Sequence, residues 1–388
     1  MERAPQIPND EQTASRRYFA FSLAAVAAAL VLVAVSAAAP SPNARVPRPT
    51  GQFHVGTRTM ALTDPARRDP QQTKQPRSLV IQFWYPTAAR TGRPAAYLSP
   101  AVARFIAKSN GVAPALLQGV KLDATANAAP SHRRGGWPVV LFSPGFGVER
   151  GLYASLTEDL ASHGYVVVAI DHPGDAAIVE FPDGHVVIPT SQMDIQKAFT
   201  VRVADTRFVL TELARLERSG VFKGRLDLGR IGMFGHSLGG AAAASTMLVD
   251  RRVRAGADLD GLLFGQVRTS GLSRPFLLMS GEPGFAADSN RAGFWKNLHG
   301  PHYAADVKRA QHFAFSDIAF LVPVLMRTNP TAGAAARQLV GNVDGLATLA
   351  AERAYISAFF DHSLLGKPQP LLAKTPGPFA GVRLTVGR

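Results

Sequence analysis

The sequence predicts an α/β fold, a mostly parallel central sheet with helices on both faces. Three observations carry this expectation. Short apolar runs recur at Val139–Phe142, Tyr165–Ile170, Ile231–Phe234, Ala255–Leu259 and Phe276–Met279, as strands buried on both faces of a parallel sheet require. Helix-patterned stretches separate them, giving the strand–helix alternation of a doubly wound layer. The segment Gly235-His236-Ser237-Leu238-Gly239-Gly240 joins Ile231–Phe234 to the small-residue run Ala241–Ala244, which is the composition of a sharp strand-to-helix turn.

Taken in chain order, residues 1–40 read as an export signal or membrane anchor. Arg16-Arg17 precede the uncharged apolar stretch Tyr18–Ala39, and Pro40, Ser41 and Pro42 follow it. The small residues Ser36–Ala39 offer a signal-peptidase site, and Ser15-Arg16-Arg17-Tyr18-Phe19 is similar to a twin-arginine export signal. The stretch is long for a cleaved segment and long enough to span a bilayer. The expected location is therefore periplasmic or extracellular, with release and membrane retention both open.

Residues 41–76, rich in Pro, Arg and Thr, read as a linker and edge region, leaving residues 77–388 as the main domain. Leu79–Tyr85 alternates as a strand does, with Pro86 as its stop. Leu152–Ser162 reads as a helix ending at His163-Gly164, and Val209, Leu213 and Leu216 share one face of a helix ahead of the turn. Tyr303–Val307 reads as the last strand of the series. The apolar segment Ile318–Met326 fits either a lid or core, and Tyr355–Leu365 reads as a terminal amphipathic helix.

Composition excludes several chemistries. The chain has no cysteine, so disulfides, thiolate nucleophiles and cysteine metal sites are absent. The net charge of +14 comes from dispersed basic residues with no aromatic-interleaved basic run, so no nucleic-acid partner is expected. That charge is compatible with a membrane surface. No metal or organic cofactor is implied, and nothing in the pattern specifies an oligomeric state.

The turn carries the chemistry. A serine between glycines on a tight strand–helix turn is a nucleophile elbow, with Ser237 as its nucleophile. Side chains at the flanking glycine positions would strike the neighbouring strand or helix. A serine hydroxyl needs a base, an acid to orient that base, and N–H donors for the oxyanion. In elbow hydrolases the order is serine, acid, histidine. Asp260 ends one strand run; Glu282 and Asp288 follow the next, and all three remain candidates for the acid. Asp258 reads as a structural carboxylate.

Among the downstream histidines, His312 follows the last strand in the loop position a base requires. His299 and His302 precede that strand, His362 falls in the terminal helix, and His236 inside the elbow reads as packing. The expected oxyanion donors are the N–H groups of Leu238 and of Phe146, the latter in Ser143-Pro144-Gly145-Phe146-Gly147.

Together these residues resemble the secreted and type II branch of the platelet-activating-factor acetylhydrolase family, within the α/β-hydrolase superfamily. The resemblance covers most of residues 78–366. It rests on Phe83-Trp84-Tyr85-Pro86, Ser143-x-Gly145-Phe146-Gly147, Ala161-Ser162-His163-Gly164-Tyr165 and the Gly235–Gly240 elbow. It continues through Leu259-Asp260, His312-x-x-Phe315-Ser316-Asp317 and Gly341-x-Val343-Asp344.

The resemblance implies an α/β-hydrolase fold, a triad of Ser237, Asp260 and His312, and a calcium-independent esterase. Its substrate would be a small-molecule or lipid ester, with short or oxidised sn-2 acyl groups of phospholipids foremost. The chain departs from the eukaryotic pattern at Pro144, where those members carry histidine. It departs again at Gly261, after the acid, where they favour a small residue and an aromatic. Bacterial polyester hydrolases of the cutinase type have a similar Ser-Pro-Gly-aromatic loop, so a broader esterase is the main alternative. A serine peptidase of the same fold and a silent, membrane-tethered binding scaffold are the others.

Overall fold

The computed structural model describes residues 44–373 and 377–387; the segment 1–40 lies outside them. Among the described residues thirteen strands are formed: β1 (His54–Arg68), β2 (Pro76–Thr87), β3 (Pro94–Ala96), β4 (Lys121–Ala126), β5 (Trp137–Ser143), β6 (Val166–Asp171), β7 (Val179–Glu180), β8 (Val186–Val187), β9 (Leu226–His236), β10 (Val253–Leu259), β11 (Phe276–Ser280), β12 (His302–Val307) and β13 (Val382–Gly387). The helices are α1 (Pro100–Ser109), α2 (Pro114–Gln118), α3 (Ala154–Ser162), α4 (Ile195–Arg218), α5 (Leu238–Val249), α6 (Val267–Ser270), α7 (Ser289–Lys296), α8 (Ile318–Thr328), α9 (Pro330–Val340) and α10 (Gly345–Leu365).

Eleven strands make one sheet, in the order β13-β12-β11-β10-β9-β5-β6-β2-β1-β4-β3, while β7 and β8 form a separate ribbon. The stretch from β6 to β12 is parallel throughout, and antiparallel pairings with β2 and β13 flank it. This is an α/β-hydrolase fold.

Alternation along the strands divides the core into two layers. Val140 and Phe142 of β5 face the layer holding α3, α8 and α10. Val139 and Leu141 face α4 and α5. Val209, Leu213 and Leu216 are all buried against this second face. Every residue of β5 and β6 is buried, as the continuous apolar runs require.

From β5 the chain moves one way to β6, then returns past β5 to β9 on its other side. Such a reversal opens a crevice at the carboxyl ends of the two strands, the default ligand position in open α/β sheets. The loop after β5 and the elbow after β9 both border it.

Several sequence expectations shift. Pro86 does not stop β2, which runs to Thr87 beside β1. The carbonyl of Pro86 accepts from Ser131 N–H, so its proton-free nitrogen faces away from β1, beyond the last pairing of β2 with β6. Residues 41–76 contain β1, a 15-residue strand with a register shift between Asp64 and Arg68. The helix expected over Tyr355–Leu365 begins at Gly345, and it is not amphipathic: residues around most of its circumference are buried, Glu352 and Arg353 included. The Ile318–Met326 segment lies within α8, which buries Ala319, Phe320, Leu321, Val322 and Val324.

Candidate active site

The elbow is as tight as its glycines imply. Ser237 sits at φ 56°, ψ −122° between β9 and α5, a region that β-carbon residues seldom occupy and that tends to mark functional sites. A Cβ at Gly239 would lie 1.9 Å from the Ser143 carbonyl oxygen, and one at Gly235 would lie 2.2 Å from Gly239 backbone. At Gly240 it would lie 1.7 Å from Asp258 Oδ1. No side chain fits at any of the three. Ser237 N–H donates to the Leu259 carbonyl at 2.8 Å, which ties the elbow to β10.

Asp260 follows β10 with φ 54°. Its N–H donates to the Met279 carbonyl at 2.7 Å. Oδ2 faces His312 Nδ1 at 2.8 Å. Oδ1 accepts from Gly281 N–H and from the Arg291 guanidinium, both at 2.9 Å. Burial pushes this carboxyl's pKa up, but Arg291, His312 and the Gly281 N–H outweigh it and hold the group at about 2. The Asp260 carboxyl is held ionised and oriented by these contacts.

The other acids are occupied elsewhere. Asp288 caps α7, accepting from Arg291 N–H at 2.9 Å. Glu282 accepts from Arg309 N–H at 2.9 Å. Asp258 accepts from Gly261 N–H at 3.0 Å through Oδ1, while Oδ2 has no hydrogen-bond partner. Burial pushes it up to about 8, with Asp260 adding to the effect and Arg291 opposing it. It is therefore only half-satisfied and sits protonated at neutral pH.

His312 opens a 3-10 turn over His312–Phe315. His299 is exposed, His302 bonds the Gly300 carbonyl at 2.7 Å, and exposed His362 lies 3.3 Å from the Lys367 carbonyl. None of the three meets Asp260 or the elbow in these contacts.

His236 does more than pack. Its Nε2 donates to the His312 carbonyl at 2.9 Å, and Nδ1 accepts from Tyr153 Oη at 2.8 Å. Tyr153 in turn accepts from Gly145 N–H at 3.3 Å. Burial first, then the nearby His312, brings His236 down to about 3, so it stays neutral and this proton arrangement is the consistent one. The loop after β5 and the turn bearing His312 are thus joined through one ring.

Leu238 begins α5, so its N–H is among the first amides of the helix, which have no intrahelical acceptor. Phe146 lies in the loop after β5 and packs with Met193, Ala198, Leu238, Ala241 and Phe264. This apolar cluster flanks Ser237 through Leu238. The arrangement provides a serine on a strained elbow, an oriented imidazole, helix-terminal N–H groups and an apolar wall. Those are the requirements of acyl transfer.

A second serine–histidine–aspartate string lies beneath. Ser143 Oγ is 3.1 Å from His172 Nε2, and His172 Nδ1 is 2.9 Å from Asp205. All three are fully buried, and Arg202 donates to Ser143 Oγ at 3.0 Å. That hydroxyl is locked on both sides.

Sequence reasoning missed Arg291, Tyr153, Arg202 and Asp205. For the last two a signal existed. Arg202 and Asp205 extend the buried stripe of Val209, Leu213 and Leu216 toward the start of α4, and a charged residue on a buried stripe must have a partner.

Residues 38–183 and 211–336 match the family described as platelet-activating factor acetylhydrolase, isoform II. Residues 137–264 also match the family described as serine aminopeptidase, S33. A protein of Arthroderma benhamiae named probable 1-alkyl-2-acetylglycerophosphocholine esterase is 29% identical over 359 residues, covering 84% of this chain and 90% of its own. The platelet-activating factor acetylhydrolase of Cavia porcellus is 26% identical over 192 residues, 42% of this chain and 44% of its own. Among solved structures, ferulic acid esterase from Streptomyces cinnamoneus superposes with a TM-score of 0.77 at 33% identity, over 89% of this chain and 100% of that one.

Proposed function

Because this chain belongs to the platelet-activating factor acetylhydrolase isoform II family and is a serine ester hydrolase, we propose that Ser237, His312 and Asp260 are its triad. The carrying observation is the 2.8 Å contact of His312 Nδ1 with an ionised Asp260, whose preceding residue, Leu259, accepts from the N–H of the strained Ser237. His312 takes the Ser237 proton as the hydroxyl oxygen attacks the ester carbonyl. Leu238 and Phe146 N–H groups receive the negative charge of the tetrahedral oxygen. His312 then protonates the leaving alcohol, and water resolves the acyl-enzyme by the same steps in reverse.

The substrate read from the family is a short acyl ester, with sn-2 acyl groups of phospholipids foremost. The apolar wall of Phe146, Leu238 and Phe264 supports a compact hydrophobic acyl group. A second reading is hydrolysis of aryl esters, favoured by the 33% identity to a ferulic acid esterase and by Phe199 joining that wall. Export, with either release or membrane retention, is supported by the pattern of residues 1–40.

Fluorophosphonate labelling tests the nucleophile. The expected result is labelling of the wild type, its loss in Ser237→Ala, and its persistence in Ser143→Ala; label on Ser143 would sink the assignment. A turnover panel of short-acyl and long-acyl phospholipids, p-nitrophenyl acetate, methyl ferulate and a polyester separates the substrate readings. Turnover of simple esters with no phospholipid hydrolysed would remove the lipid reading.

A further inference from the structure

The loop after β5 is gripped from below by an ion pair that none of the steps above uses. Arg202, on α4, is completely buried. Its guanidinium donates to the carbonyl oxygens of Pro144 and Gly145 and to the Ser143 hydroxyl. Its Nε pairs with Oδ2 of Asp175, whose Oδ1 accepts from Gly147 N–H at 3.1 Å. One charge pair thus holds four of the five residues Ser143–Gly147.

The grip has a directional consequence. A trans peptide carries its C=O and the next residue's N–H on opposite sides, and among the described residues only Glu282–Pro283 is cis. The Gly145 carbonyl accepts from Arg202 at 2.9 Å and from Val148 N–H at 3.2 Å. The Phe146 N–H therefore points away from the guanidinium. Ser143 cannot rotate to release the grip. Its oxygen accepts from Arg202 and its proton goes to His172, which Asp205 and Arg77 hold in turn, with Arg77 to Asp205 at 2.8 Å.

We infer that Arg202, neutralised by Asp175, is the positioning residue of the oxyanion hole. It aims the Phe146 N–H at the tetrahedral oxygen without touching the substrate. The inference rests on the reading of Ser237 as nucleophile and deepens it. A planar fork is needed, because an ammonium acts as a point charge and cannot fix two carbonyls and a hydroxyl in one geometry.

Arg202→Lys and Asp175→Asn test this, with p-nitrophenyl acetate turnover and binding of an alkyl trifluoromethyl ketone, which forms an oxyanion on the nucleophilic serine. Arg202→Lys is expected to lower kcat about 100-fold, the scale of losing one oxyanion donor, with KM within about threefold. Ketone affinity should fall in the same proportion, and the pH profile of kcat/KM should keep its position because the base is untouched. Asp175→Asn should show the same pattern at smaller amplitude, and it decides the matter alone if Arg202→Lys does not fold. Folded variants that keep kcat, lose only KM, or lose kcat while binding the ketone as before would overturn the inference. So would a displaced pH profile. Ser237→Ala is run in parallel: wild-type turnover there would reject the nucleophile itself, an outcome distinct from any result at Arg202.

Discussion

At Asp260, two opposing effects meet on one carboxyl. Burial favours the neutral acid, and Arg291 with His312 favours the ion; the ion wins because a full positive charge touches Oδ1. Asp258, two residues earlier, lacks such a contact and goes the other way. Asp260→Asn should lower kcat by roughly 10³–10⁴-fold with little change in KM, since an amide neither fixes the required tautomer nor stabilises the imidazolium; steady-state turnover measures it. His236→Phe keeps a ring but strips a donor from the His312 carbonyl and an acceptor from Tyr153. Two buried groups left unpaired cost about 1–3 kcal/mol each, so both denaturant midpoint and kcat should fall. An unchanged midpoint would show that the ring serves by packing alone. The proposed triad was legible in part: the elbow singled out Ser237 and the loop after β12 singled out His312, whereas Asp260 stood beside Glu282 and Asp288 until the family resemblance favoured it. Its supports were not: Arg291 and Tyr153 act through contacts with residues 31 and 83 positions away, and no local pattern records such distances.

The elements divide in the same way. Strands buried on both faces declare themselves as apolar runs, and β5, β6, β10 and β11 coincide with theirs to within two residues at either end. β1 does not, because its second half alternates buried Leu62 and Asp64 with exposed Ala61, Thr63 and Pro65 near the sheet margin, a pattern that resembles a linker until its partner is known. β9 extends further upstream than the run Ile231–Phe234, and the run misses that part because Asp227–Arg230 are only partly buried or exposed. At the elbow, local composition and tertiary fit agree most closely. Gly239→Ala would drive a methyl group into the Ser143 carbonyl at 1.9 Å, with backbone on both sides and nothing flexible to yield. The expected outcome is loss of more than about 3 kcal/mol of stability or failure to fold, read by urea denaturation. A wild-type midpoint would mean that the turn is looser than described.

Across the whole molecule, buried acids set the pH response. Burial, the largest cause in each, pushes Glu158 and Glu352 up to about 8 and Asp317 to about 6, alongside Asp258 at about 8. Unfolded carboxyls titrate near 4 (roughly). For these raised groups the stabilising contribution is complete below that value and is lost as pH climbs toward 8. Asp260 has the opposite sign: its contribution holds above about 4 and disappears as pH falls toward 2. Thermal melting should therefore drop by several degrees between pH 6 and 9. Glu352→Gln should flatten that drop, because neither Glu352 oxygen has a hydrogen-bond partner; an unaltered slope would exclude it as a contributor. At this scale the order of layers was readable from alternation of runs, whereas the antiparallel margins depend on pairings far apart in sequence. One of those margins matters for the fate of the chain in solution. β13 pairs with β12 along its full length, from His302 opposite Gly387 to Val307 opposite Val382, and it turns outward an exposed Arg383. Without that strand, the row of N–H and C=O groups on β12 would lie open to any other extended chain. Removal of residues 382–387 should accordingly yield protein that self-associates in a concentration-dependent way, with the growing aggregate starting beside the turn that carries His312. β13 moves the open edge outward from β12 to a strand that carries a charged side chain on its exposed side.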